Sequence, residues 1–106
     1  MRTACWTAAG LDLAALFARH GERPAILQAG SSLSWRAVGR RVAGAAAGLR
    51  TLGIREGRRV GFLAANRPAH FITLLACWAC GSVFVPLNWK SPPAAVSEGL
   101  PLDLLV

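Results

Sequence analysis

Few residues in this 106-residue chain are of types that do chemistry, and their spacing separates a working site from a packed core. The closest to a ligand motif is Cys77-Trp78-Ala79-Cys80, whose C-x-x-C interval suits a metal or a thiol pair. A four-ligand zinc site needs a second Cys/His pair, and the sequence offers none to complete it. With apolar neighbours throughout, the motif reads as two small residues buried on a helix. The third cysteine, Cys5, leaves an odd number that cannot close a disulfide framework on itself, which points to a reducing compartment, the cytoplasm.

His20 and His70 each stand near an element boundary without an acid–base partner, so a solvated or capping role is expected of both. Gly30-Ser31-Ser32 has the composition of a phosphate cradle. It lacks the G-x-x-x-x-G-K-[ST] pattern, however, and joins two strands instead of leading from a strand into a helix. Lys90, the single lysine, falls in an apparent loop and takes no catalytic role. From the residues themselves, the expectation is that this chain holds no catalytic, cofactor-binding or metal-binding residues.

The net charge of +7 comes almost wholly from arginine, eleven of the twelve cations, scattered from Arg2 to Arg67. Nucleic-acid readers gather Lys/Arg on one face among aromatics that stack on bases, and this distribution does not. Apolar residues form 54% of the chain and charged ones 16%, which excludes disorder and leaves much apolar surface for so small a body. The length allows one domain or one lobe of a larger one. The N-terminus has a faint signal-peptide look, but Asp12 and Arg19 interrupt it. Residues 69–89 are long and apolar enough for a single membrane span, although Gly81, Pro86 and a β-rich second half argue against one.

The elements follow from periodicity and punctuation. A helix is expected over residues 11–20, with Leu11, Ala14, Ala15 and Ala18 on the apolar face, Leu13, Leu16 and Phe17 broadening it, and Gly21 ending it. Residues 25–28 and 33–35 read as a hairpin around Ala29-Gly30-Ser31-Ser32. Ser34 caps a helix of about eighteen residues that Gly53 stops. Its buried face is expected at Val38, Val42, Ala45, Leu49 and Leu52, with Arg36, Arg40 and Arg50 pointing away, and Gly44 and Gly48 permit close approach of a neighbour. Residues 59–64 suit a buried strand. Asn66 is placed to cap and Pro68 to open an apolar helix over residues 69–80, with Gly81 closing it and residues 82–87 strand-like up to the proline. Residues 91–101 read as loop and residues 102–106 as a last core strand, so the chain has the look of one cut from something longer.

Four stretches in register resemble the opening of the adenylate-forming, AMP-binding superfamily of the acyl-CoA synthetase or aryl-CoA ligase type. Arg19-His20-Gly21-Glu22-Arg23-Pro24-Ala25-Ile26 is similar to the family's first segment, and Leu33-Ser34-Trp35-Arg36-Ala37-Val38 to its L-[TS]-Y-x-E-L motif. Leu52-Gly53-Ile54-Arg55-Glu56-Gly57-Arg58-Arg59-Val60 resembles the family's step into a strand. The run from Asn66-Arg67-Pro68 through Leu74-Leu75-Ala76 to Val85-Pro86-Leu87-Asn88 resembles its N-x-P…LLA…VPLN motif. Ala37, Arg58 and Ala79 depart from the usual acid, aspartate and lysine.

The resemblance implies an α/β fold: a partial N-terminal lobe in which a small hairpin and helices pack on a mostly parallel sheet, with residues 1–106 a single partial domain. It also implies a two-step ligase, in which a carboxylate attacks the α-phosphate of Mg-ATP and a thiol such as coenzyme A then takes the acyl group. The phosphate loop, the metal-binding acid and the mobile lysine of such enzymes lie beyond the stretches represented here, so the chain is expected to be inactive alone. ATP, Mg and coenzyme A belong to the full-length family, and the remainder of a split or truncated ligase is the implied partner. A small membrane-associated protein built around residues 69–89 and a non-catalytic interaction module are the alternatives.

Overall fold

The computed structural model describes residues 7–8, 11–63, 67–87 and 102–105, an α/β arrangement of seven strands and three helices. Cys5, Asn66, Lys90 and the loop expected over residues 91–101 lie outside the described residues. A short antiparallel pair, β1 (Thr7–Ala8) and β2 (Leu11–Asp12), precedes α1 (Leu13–His20). The helix starts two residues later than periodicity suggests because Asp12 is its N-cap, its carboxylate accepting from the Ala15 amide at 3.1 Å. Leu13 and Phe17 form its buried face, and Ala14, Ala15 and Ala18 are exposed instead of buried. Turning the large side chains inward removes more apolar area from water than turning the alanines would.

The hairpin comprises β3 (Pro24–Gln28) and β4 (Ser31–Ser34), paired so that Gln28 faces Ser31. Its turn is two residues, Ala29 and Gly30, shorter than the four-residue reading, and both have positive φ, 47° and 82°. Such a turn carries the twist that antiparallel strands need, and Gly30 adopts it freely. Ser31 and Ser32 therefore belong to β4, where the Ser31 hydroxyl donates to the Gln28 carbonyl at 2.9 Å.

Ser34 caps α2 (Trp35–Thr51): its hydroxyl accepts from the Ala37 amide at 3.1 Å, which draws Trp35 out of the strand and into the helix. The buried positions are Val38, Val42, Ala46 and Leu49, a stripe advancing by nearly one turn at each step. Ala46 replaces the expected Ala45, which sits at the margin, and Leu52 lies past the helix end with 66% of its surface exposed. Among the described residues nothing lies within 4 Å of a Cβ added at Gly44 or Gly48, contrary to the close-approach reading.

The core sheet is parallel, in the order β6 (Val83–Leu87), β5 (Arg59–Leu63), β7 (Leu104–Leu105), with α3 (Pro68–Cys80) connecting β5 to β6. β6 continues through Pro86 to Leu87, a residue further than the proline suggested. Among the described residues it has one neighbour in the sheet, β5, so Pro86 costs no described ladder bond on its outer side. At the centre of β5, a Cβ on Gly61 would stand 2.6 Å from Leu102 Cδ1 and 3.1 Å from Leu87 Cδ1, so the close approach falls here.

Pro68 opens α3 as expected, but the N-cap position is Arg67, which makes no side-chain cap bond. Buried residues lie around most of the helix, with Trp78 left exposed, because α2 packs on one side and the sheet on another. Gly81 ends it at φ 69°, ψ 15°, the left-handed conformation in which Ser82 N donates to Cys77 O at 2.9 Å. At 13 residues α3 is about 20 Å long against a hydrocarbon core of about 30 Å. Among the described residues no helix is long and apolar enough to cross a membrane, and the apolar 69–89 stretch divides between α3 and β6.

Candidate functional site

Residues of chemical character are dispersed by the fold. Cys77 and Cys80 are both buried on α3, in agreement with the packing reading. Burial pushes the Cys77 thiol up, Ser82 works weakly against that, and Cys80 adds to it, so Cys77 is held as an unreactive thiol. Cys80 donates to the Ala46 carbonyl at 3.6 Å, which makes it part of the contact between α2 and α3. His20 lies against Trp35 with ring centroids 5.4 Å apart.

His70 is the exception to the expected solvated or capping role. It is half-buried between Phe62, at 5.1 Å, and Phe84, at 5.3 Å, with edge-to-face geometry to both rings, and its Nδ1 is buried without a hydrogen-bond partner. Its position one turn into α3 aims it at the sheet, which no sequence interval reveals. It forms part of the lining of a groove of about 290 Å³ between β3 and the start of α3. Ile26, Leu27 and Gln28 make one wall. Pro68, Phe71 and Leu74 make the other, with Arg67 at the end of the groove where α3 begins.

The acids are kept apart. Asp12 caps α1, Glu22 pairs with Arg36 at 2.8 Å, and Asp103 ties β7 to β5. Asp103 Oδ2 accepts from the Arg59 amide at 2.7 Å, while its own amide donates to the Arg59 carbonyl at 2.8 Å. The Arg59 amide, helped by the Arg58 guanidinium 3.4 Å from Oδ1, holds this carboxyl below its ordinary range. Arg58 therefore has a structural partner in Asp103. Arg50, expected to point away, reaches across instead: its Nη2 donates to Ala79 O at 3.3 Å, at the carbonyl end of α3.

Among the described residues no three His, Cys, Asp or Glu side chains come together to hold a metal ion. The Ala29-Gly30 turn joins antiparallel strands and opens no helix, and the grooves beside β3 and between α1 and α2 are lined mainly by apolar side chains. Mg-ATP needs converging amide donors, a lysine and a metal-binding acid around its triphosphate, and the described residues alone bring no such set together.

Comparison with known proteins adds the wider context. The family model described as AMP-binding enzyme matches residues 13–100. Feruloyl-CoA synthase of Amycolatopsis sp is 47% identical over 66 residues, 62% of this chain and 13% of that protein. 2-Succinylbenzoate–CoA ligase of Salmonella typhimurium is 32% identical over 80 residues, covering 76% of this chain and 18% of that protein. Among solved structures, the artificially fused adenylation–PCP di-domain NpsA-ThdA from Klebsiella oxytoca superposes with a TM-score of 0.77 at 24% identity, over 81% of this chain and 16% of that one. Wild-type E. coli MenE superposes with a TM-score of 0.74 at 29% identity, over 88% and 22%. The chain thus spans about an eighth of the length of the feruloyl-CoA synthase it matches.

Proposed function

This chain belongs to the AMP-binding enzyme family, and on that premise we propose that residues 1–106 are a single partial domain, the N-terminal structural portion of an ATP-dependent carboxylate-activating ligase, inactive as a chain alone. The observation that carries the reading is the match over residues 13–100 to a family whose fold these helices and the β6-β5-β7 sheet share. The segment contributes strands and helices to the large body of the enzyme. Acyl-adenylate formation and transfer to coenzyme A, with the ATP and Mg they require, fall to the remainder of that body, which is the chain's partner. Its buried thiols suit the reducing cytoplasm.

The test is complementation. The 106-residue chain is assayed for pyrophosphate release from ATP with a panel of aromatic and aliphatic carboxylic acids, alone and mixed with a related ligase lacking its own first hundred or so residues. No turnover alone and restored turnover in the mixture are expected. Turnover by the chain alone would overturn the structural role, and a mixture that stays inactive while the two pieces bind would overturn the ligase assignment.

A further inference from the structure

We propose that the outer flank of α3, from Phe71 through Leu74 to Trp78, together with the groove it shares with Ile26 and Leu27, is the surface on which the remaining body of an AMP-binding ligase packs through an apolar face. Residues 68–80 carry no acidic or basic side chain apart from His70, so α3 is apolar around its whole circumference. A helix of that kind is one that a fold covers on every side. In this chain α2 covers one side and the sheet another, and Ile72, Leu75, Ala76, Cys77, Ala79 and Cys80 are buried. Phe71, Leu74 and Trp78, spaced i, i+3 and i+7, form a stripe about 10 Å long on the remaining flank. They stay at the surface, Phe71 and Leu74 half-buried and Trp78 38% exposed.

The stripe does not end at the helix. Phe71 and Leu74 form one wall of the groove, and Ile26 and Leu27 face them from β3, with Leu27 75% exposed. Flank and groove make one apolar surface shared by two elements, the kind that marks contact with another body. The outer face of α2 around Gly44, Ala47 and Gly48 is also exposed, but it presents no large apolar side chain. The occupant follows from the comparisons. These elements superpose on NpsA-ThdA with a TM-score of 0.77, yet the matched part is 16% of that chain, and the matches to the two ligases cover 13% and 18% of theirs. More than four-fifths of each relative therefore lies outside the match, and an apolar face on a body of that size takes this flank out of water. The inference rests on the reading of the chain as a portion of a ligase.

The test uses a full-length feruloyl-CoA synthase whose matching segment is exchanged for this chain, with its thermal midpoint followed by circular dichroism. Leu27→Asp is expected to lower the midpoint by about 5 °C or more, and Ala47→Asp, at an exposed position of α2 away from the flank, by about 1 °C. In the same protein Leu27→Cys should react with a maleimide about tenfold more slowly than Ala47→Cys, read at each residue by peptide mass, a measurement that tolerates a change in stability. Equal shifts from the two aspartates, or equal labelling of the two cysteines, would overturn the proposal and leave the ligase reading standing. A parent chimera that gives no soluble, cooperatively melting protein would overturn that reading and the inference with it. Self-association of the 106-residue chain in sedimentation velocity that Leu27→Asp removes would also overturn the proposal, by assigning the flank to a second copy.

Discussion

The seam between α2 and α3 and the groove beside β3 are both lined mainly by apolar side chains, yet one is closed and the other open. In the seam, Val38, Val42 and Ala46 on α2 and Ala76, Cys77 and Ala79 on α3 have no exposed surface. Small residues let the helix backbones approach, and polar threads fasten them, Arg50 to the Ala79 carbonyl and Cys80 to that of Ala46. Beside β3 the side chains are long and nothing in the described chain lies between them, so Leu27 stays three-quarters in water. Closure thus depends on whether a facing layer exists at matching depth, more than on how apolar the residues are.

The largest expected effect breaks the closed region. Val42→Asp places an unpaired carboxylate at a position of zero exposure, and it should cost several kcal/mol and abolish any cooperative thermal transition seen by circular dichroism. A mutant that melts like the parent would mean that the seam is not packed. Next comes the sheet's crowded centre. Gly61→Ala should destabilise by about 1–3 kcal/mol in urea unfolding, and a second change, Leu102→Ala, should recover part of the loss by making room for the new methyl.

A smaller effect has the opposite sign. Gly44 lies inside α2 with nothing within 4 Å of its missing Cβ, so Gly44→Ala should stabilise by about 0.5–1 kcal/mol. If it destabilises instead, that helix face is covered after all. The smallest effect is electrostatic and confined to the β5–β7 tie. Because the Asp103 carboxyl titrates lower in the folded chain than in the unfolded one, its contribution is complete above the unfolded value. It is lost as pH falls through the acid range toward the lowered folded value. Asp103→Asn should flatten this acid-side loss in hydrogen exchange of β7, and the seam should show no corresponding change.

The contrast between the regions also explains what was legible. Ser34 as a cap, Pro68 at the first helical position and Gly81 as a stop were readable because each acts within a turn of its own position. The order of helices and strands followed, and with it the family. Signals that depend on a distant partner were not readable. Gly44 and Gly48 have the spacing for close approach, but the tightest approaches fall at Gly61, beneath Leu102, and at Gly39, against Phe17. The ties made by Arg50 and Asp103 have no local signal, because their partners lie 29 and 44 residues away. The groove escaped for the same reason, since its two walls are separated by the whole of α2 and β5.

One feature of the sheet governs the order in which the protein assembles. Val60 pairs with Phe84 on one side and with Leu104 on the other, so β6 closes a chain segment of 24 positions and β7 one of 44. The longer closure costs about 0.5 kcal/mol more in chain entropy and returns a strand of two residues in place of five. On this arithmetic β5, α3 and β6 are expected to close as a unit before β7 docks. Within this sheet β7 is expected to leave first, exposing the flank of β5 through brief local opening before β6 parts from it.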